Sequence, residues 1–191
     1  MDFQKIGILE RILEAFFWNF LRAPYNRAFA LSLGLRGDER VLEFGSGSGA
    51  ISRHLMPLLS GGGTLVCVDT SEGLMGIARR RLKGFTNVEF HPTDLRDARL
   101  PGGSFDAAVV HFVLHDVPEE DRSPLVAEMT RLLKPGGRLV LREPSRAGHG
   151  MPPRDIRRHA EAAGLRETAF HEGRRMGSKP YTHFVFGKDV S

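Results

Sequence analysis

The segment Glu43-Phe44-Gly45-Ser46-Gly47-Ser48-Gly49 has residue types and a spacing that suggest ligand chemistry. An apolar run enters it and a helical pattern leaves it. Glycines at such a junction let the backbone turn sharply and approach a ligand without Cβ clashes. Gly45, Gly47 and Ala50 satisfy the dinucleotide-binding spacing, which tolerates alanine at its last place. Asp69 stands about twenty residues further on, where a carboxylate can accept from both ribose hydroxyls. A dinucleotide and an adenosyl ligand both fit these features. Glu43 weighs between them. A carboxylate two residues before the first glycine is awkward beside a dianionic pyrophosphate. It suits a ligand whose nearby group is cationic, such as a sulfonium with an α-ammonium.

Further groups able to do chemistry fall at strand ends. His111 closes one apolar run, and His115 and Asp116 follow within a turn. Glu143 ends the next run, and Tyr25 lies in an N-terminal segment able to reach over the site. Each has a plain structural alternative. His111 can fill space, His115 can pack or cap, Glu143 can be a solvated strand end, and Tyr25 can be a core aromatic. A metal site built from His111, His115 and Asp116 is not expected. The single cysteine, Cys67, excludes a disulfide framework and a cysteine-clustered zinc or iron–sulfur site.

The elements that must position these residues follow from hydrophobic periodicity. Residues 3–23 predict an amphipathic helix, with Leu9, Ile12, Leu13, Phe16, Phe17, Phe20 and Leu21 at spacings of three and four; Pro24 ends it. A short helix over Asn26–Leu33 follows. Short apolar runs predict strands at Val41–Phe44, Thr64–Val68, Val88–Phe90, Phe105–Phe112 and Arg138–Arg142. Helical patterns separate them, over 50–59, from an N-cap at Ser71 to Leu82, and from an N-cap at Ser123 with Pro124 at the first helical position. Ile156–Ala163 predicts a last helix closed by Gly164. Two strands, Glu167–His171 and His183–Gly187, then follow without a helix between them. Alternation of strand and helix implies a doubly wound, mostly parallel α/β sheet. The final strand pair implies an antiparallel hairpin at one edge. The domain organisation expected is an N-terminal helical lid or interface segment over 1–34 and a ligand-binding domain over 35–191.

Composition narrows the partners. The chain has 191 residues and a formal net charge of +4. Residues 1–30 carry four basic and three acidic side chains, 31–145 fourteen and fifteen, and 146–191 nine and five. The positive excess therefore sits in the last quarter, away from the glycine loop. Arg174-Arg175-Met176-Gly177-Ser178-Lys179 has no interleaved aromatic platform, which argues against RNA. No apolar run is long enough to span a bilayer, and no signal-peptide order is present, so a cytoplasmic setting is expected. The aromatic face of residues 3–23, with Lys5, Arg11 and Arg22 nearby, also suits peripheral contact with anionic lipid or pairing of two chains.

Taken together, residues 40–187 resemble the class I S-adenosyl-L-methionine-dependent methyltransferases, of the small-molecule, type 11-like kind. The resemblance rests on several segments in order: Val41–Gly49, Leu65–Asp69, Thr93-Asp94-Leu95, Phe105–Val117, and Leu133-Lys134-Pro135-Gly136-Gly137-Arg138-Leu139. It implies a Rossmann-like, seven-stranded sheet and S-adenosyl-L-methionine as cofactor. Gly45, Ser46, Gly47 and Gly49 would form the loop against the methionine moiety, organised by Glu43. Asp69 would hold the ribose, with Thr70 nearby. Asp94 and Leu95 would flank the adenine, and the His111 backbone would bound the sulfonium end. His111 and His115 are the catalytic candidates, and Tyr25 and Glu143 the substrate-side candidates. The implied reaction is in-line methyl transfer to a small or amphiphilic acceptor. A phospholipid or quinone-type acceptor at a membrane surface is the alternative, and so is a binding module without catalysis. His111-Phe112-Val113-Leu114 is not the Asn/Asp-Pro-Pro-aromatic tetrad of enzymes that methylate adenine, cytosine or glutamine amines, which argues against those acceptors.

Overall fold

The computed structural model describes residues 23–146, 148–174 and 180–190. The helix expected over 3–23 and the centre of the basic run, 175–179, lie outside or almost outside the described residues.

A helix, α1 (Ala23–Ser32), leads into β1 (Arg40–Phe44). Then come α2 (Ser52–Leu55) with a 3₁₀ turn over Met56–Leu59, β2 (Thr64–Val68), α3 (Glu72–Arg81) and β3 (Val88–His91). Next are β4 (Phe105–His111), a 3₁₀ turn over Leu114–Asp116, α4 (Glu119–Leu132) and β5 (Leu133–Arg146). The chain ends with β6 (His149–Gly150), α5 (Pro153–Ala162), β7 (Leu165–Arg174) and β8 (Pro180–Lys188). The main sheet has the order β3-β2-β1-β4-β5-β8-β7, and β6 pairs with β5 beside it. β3, β2, β1, β4 and β5 are parallel, while β8 runs antiparallel to both β5 and β7. This is the doubly wound sheet with the edge hairpin that the sequence implies.

Burial explains the apolar runs. Strands covered on both faces must be apolar at every position rather than at alternate ones. On one face Leu42, Val66, Ala108, Val110, Leu139 and Leu141 pack beneath Leu125, Val126, Met129 and Leu132 of α4 and Ile156 and Ala160 of α5. On the other Val41, Leu65, Cys67, Ala107, Val109 and Val140 pack beneath Phe29 and Ala30 of α1, Leu33 just after it, Leu55 of α2 and Met75 of α3. Phe29 is fully buried, which stabilises the attachment of α1 by about 2–3 kcal/mol. β7 is exposed along most of its length and carries Arg166, Glu167, His171, Glu172 and Arg174, charges that discourage pairing at a free edge.

Several boundaries differ from expectation. Pro24, expected to end the helix over 3–23, lies within α1, and the residues before Ala23 lie outside the described residues. α4 begins at Glu119, five residues before Pro124, so Ser123 is not its N-cap and Pro124 lies inside it. Glu119, Glu120 and Asp121 occupy its first turn, where negative charge suits the positive end of the helix dipole. Ser71 does cap α3, its hydroxyl accepting from the Leu74 N–H at 3.4 Å. β5 is longer than the predicted Arg138–Arg142. It begins at Leu133, and its register against β4 shifts between Phe105 and Ala107 to absorb Pro135-Gly136-Gly137.

Candidate functional site

The strand order reverses between β1 and β4, the place where open α/β sheets leave a crevice at their C-terminal ends. An open cleft of about 310 Å³ lies there, at the lower end of the range of small-molecule sites. Its walls include Gly45, Asp69, Thr70, Asp94 and Val113.

The glycine loop forms the floor beside β1. Gly45, Gly47 and Gly49 have φ of +71°, +52° and +75°, the left-handed region that side chains disfavour. A Cβ on Gly45 would also collide with the Val113 side chain. The Gly45 and Ser46 N–H groups donate to the Val68 carbonyl at 2.8 and 3.2 Å. Asp69 Oδ2 accepts from the Gly47 N–H at 2.8 Å, and its Oδ1 accepts from the Ser71 N–H at 2.9 Å. The acidic end of β2 is thus tied to the loop after β1. Arg81 Nη1 donates to the Ser48 carbonyl at 2.8 Å and holds the loop from α3.

Glu43 faces the protein and not the cleft. It is buried, and the Ser52 hydroxyl donates to its Oε2 at 2.6 Å. Burial pushes its carboxyl up to about 7, against the opposing effect of the Ser52 bond. Its side-chain partners are Ser52 of α2 and Cys67 of β2.

Asp94 lies in the opposite wall. Arg96 grips it through Nε at 2.9 Å and Nη2 at 2.8 Å, and extends Nη1 to Asp121 at 2.7 Å. These bonds hold the Asp94 carboxyl below the usual carboxylate range. Leu95 is fully buried in the core and does not line the cleft. Arg96, Asp121 and Val113 were not singled out by the sequence reading. Arg96 lies only two residues beyond Asp94, which was the available signal.

The remaining candidates divide into two pairs. His115 and Glu143 meet, with Nδ1 and Oε2 2.7 Å apart. Glu143 is fully buried, and its Oε1 accepts from the Val113 and Leu114 N–H groups at 3.1 and 2.8 Å. It is neither a solvated strand end nor a group facing the acceptor; it braces the turn after β4. Burial lowers the His115 pKa, but the bond and charge of Glu143, with Asp116, outweigh burial and hold it above its usual value. His115 is therefore anchored and mostly buried rather than open to the cleft.

His111 and Tyr25 form the other pair, on the α1 side of the sheet. The His111 ring centre is 4.6 Å from Phe29, 4.3 Å from Phe112 and 6.1 Å from Tyr25. Neither His111 nor Tyr25 lines the cleft itself.

The methyltransferase domain family matches residues 41–137, half of the chain, which holds the glycine loop, Asp69, Asp94 and the turn after β4. Among curated relatives, the demethylmenaquinone methyltransferase of Clavibacter sepedonicus is 39% identical over 105 residues, 55% of this chain and 41% of that protein. The ubiquinone/menaquinone biosynthesis C-methyltransferase UbiE of Teredinibacter turnerae is 32% identical over 121 residues, 61% of this chain and 48% of that protein. The chain thus spans less than half of the length of these relatives within the matched region. Solved structures share the fold. Magnesium protoporphyrin IX methyltransferase from Synechocystis has a TM-score of 0.69 at 19% identity, covering 97% of this chain and 86% of that one. The [4+2]-cyclase SpnF has a TM-score of 0.74 at 18% identity, covering 88% of this chain and 81% of that one. A cyclase on the same architecture shows that the fold alone does not name a reaction. The family match and the site's residues go further than the fold: this chain belongs to the methyltransferase domain family, the class I S-adenosyl-L-methionine-dependent methyltransferases.

Proposed function

We propose that the chain transfers a methyl group from S-adenosyl-L-methionine to a small or amphiphilic acceptor, and that the acceptor is of the quinone type. The observation that carries the cofactor reading is the Asp69 carboxylate, tied to the glycine loop at Gly47 and facing the cleft. An acceptor-rich carboxylate at that place suits a ribose diol. Gly45 lines the cleft, with Ser46 and Gly47 beside it in the loop, and the methionine moiety would lie against this backbone. Thr70 and Asp94 stand where the adenine would lie, with the amino group toward Asp94. Glu43, Gly49 and Leu95 act from beneath, by fixing the loop and wall.

Bound there, the cofactor supplies a methyl carbon already activated by a sulfonium leaving group. The protein's main task is then to align the acceptor and exclude water. His111 bounds the acceptor side, and His115, oriented by Glu143, is placed to keep the turn after β4 in position. The quinone-type reading is supported by the printed functions of the curated relatives. No helix among the described residues is long and apolar enough to cross a membrane. The 1–34 segment covers the acceptor side in this reading, and residues 3–23 supply either a membrane-surface contact or a contact between two copies in the cytoplasm. Liposome co-sedimentation with and without residues 1–22 separates those two roles. Methyl transfer from labelled S-adenosyl-L-methionine to a reduced naphthoquinone tests the activity. Transfer to protein-independent background only would refute the acceptor reading.

A further inference from the structure

One row of residues crosses the sheet at the C-terminal end of β4 and β5. His111, Arg142 and His183 are direct in-register neighbours on β4, β5 and β8. Neighbours in register project to the same face, here the face covered by α1. Arg142 is only 5% exposed. Its guanidinium carbon lies 4.2 Å from the Phe29 ring centre, 4.8 Å from Tyr181 and 5.3 Å from Tyr25. Three aromatic rings thus surround the guanidinium, and Tyr25 also hydrogen-bonds it.

The N–H edge of the guanidinium is incompletely used. Arg142 Nη2 and His183 Nδ1 are 3.1 Å apart. Burial, then the charge of Arg142, pushes His183 down to about 4, so its ring is neutral near pH 7. A neutral ring accepting at Nδ1 carries its proton at Nε2. His183 Nε2 and Arg142 Nε are both buried without a hydrogen-bond partner among the described residues. Two donors in one buried cluster, one of them cationic, are thus left over. No carboxylate among the described residues pairs with Arg142, and only Tyr25 and Tyr181 favour its charge. An uncompensated buried guanidinium is costly, and a bound anion offsets that cost.

The cluster adjoins the cleft. The Phe112 N–H donates to the Arg142 carbonyl at 2.8 Å, and the Phe112 ring lies parallel to that of Tyr25 at 6.4 Å. The next residue, Val113, lines the cleft. Phe112 has φ of +59°, a strained conformation for a bulky side chain, and this turn carries the chain from the cluster to the cleft. Tyr25, Phe112 and Tyr181 are each partly exposed, so the cluster reaches the surface through its aromatic rings.

We propose that Arg142 and His183 dock a carboxylate carried by the methyl acceptor on an aromatic ring that packs against Tyr25 and Tyr181. This rests on the methyltransferase reading and narrows its acceptor. Arg142 is then a specificity-determining residue rather than a catalytic one.

The test is calorimetric titration of the full chain, saturated with S-adenosylhomocysteine, with 1-hydroxy-2-naphthoate and separately with its neutral methyl ester. The wild type is expected to prefer the acid by roughly tenfold or more, the size of one charge-assisted contact. Arg142→Leu is expected to bring the two within about threefold while S-adenosylhomocysteine affinity stays unchanged, and Arg142→Lys to restore part of the preference. Equal binding of acid and ester by the wild type, or no saturable binding of either, overturns the proposal without a variant having to fold. A folded Arg142→Leu that keeps the preference also overturns it. Failure of the wild type to bind S-adenosylhomocysteine refutes the methyltransferase reading instead, and is seen in the first titration.

Discussion

Glu43 and Glu143 are both buried carboxylates, and their surroundings give them opposite parts. Glu43 meets one hydroxyl and a thiol, so burial dominates and its pKa reaches about 7. A carboxyl whose folded pKa exceeds its unfolded value binds the proton more tightly when folded. Its protonation therefore stabilises the protein below pH 4.5, and that contribution fades as pH rises from 4.5 to about 7. Glu43→Gln, neutral throughout, should gain on the wild type across this window, by up to about 3 kcal/mol above it. Urea melts of both proteins at pH 5 and pH 8 check this; a constant difference contradicts it. Glu143 is braced by two backbone N–H groups and His115. Removing it in Glu143→Ala strands all three partners and should cost about 2–4 kcal/mol by thermal unfolding. In Glu143→Gln the charge that lifts His115 disappears, so burial prevails and the His115 pKa should fall below 6.5 in an NMR titration. A His115 that titrates unchanged would mean that Glu143 does not set it. Residue type located Glu43, Asp69, Asp94, His115 and Glu143 in the sequence. It could not show which way each side chain points, because adjacent strand residues face opposite sides of the sheet. Arg142 illustrates the limit: it reads as an ordinary polar strand end until α1 and β8 are seen to bury it.

The strands and the glycine loop were legible as elements because their burial on two faces forces continuous apolar runs, and because a left-handed turn demands glycine. The limits of α4 were not. Ser123-Pro124 carries the local signature of a helix start, yet the acidic residues 119–121 begin the helix earlier and the core contacts of Leu125, Val126 and Met129 keep it going through the proline. Pro124 donates no N–H to the helix, so Pro124→Ala should raise stability by about 1–3 kcal/mol. A melting temperature unchanged or lowered would show that the proline is compensated elsewhere. The loop glycines should differ from one another. Gly45→Ala adds a collision with Val113 to the cost of its φ, and should weaken S-adenosylhomocysteine binding by roughly tenfold or more. Gly47→Ala meets nothing closer than 4.0 Å, so only its φ of +52° opposes it and its effect should be smaller. Equal losses in calorimetric titrations of the two variants would argue that the Gly45–Val113 approach does not shape the site.

At the scale of the molecule, the sheet order and the glycine loop place one cleft at the switch point between β1 and β4. Beside it, the basic and aromatic row under α1 gives the acceptor side a character of its own. The positive excess of the sequence is not explained by this row, because it falls in residues 146–191, on exposed arginines such as Arg154, Arg158, Arg166 and Arg174. Several arginines of this segment pair with acidic neighbours, as Arg157 does with Glu167 and Arg166 with Asp189. The whole-chain charge therefore says little about the ligand, while one buried arginine says more. Asp69 and the glycine loop are proposed to hold the adenosyl cofactor. Calorimetric titration of the wild type and Asp69→Ala with S-adenosylhomocysteine tests it most directly. One saturable site in the wild type, weakened by roughly tenfold or more in a folded Asp69→Ala, is the result expected for loss of the hydrogen bonds to a diol. No binding by the wild type, or equal binding by both proteins, would contradict it.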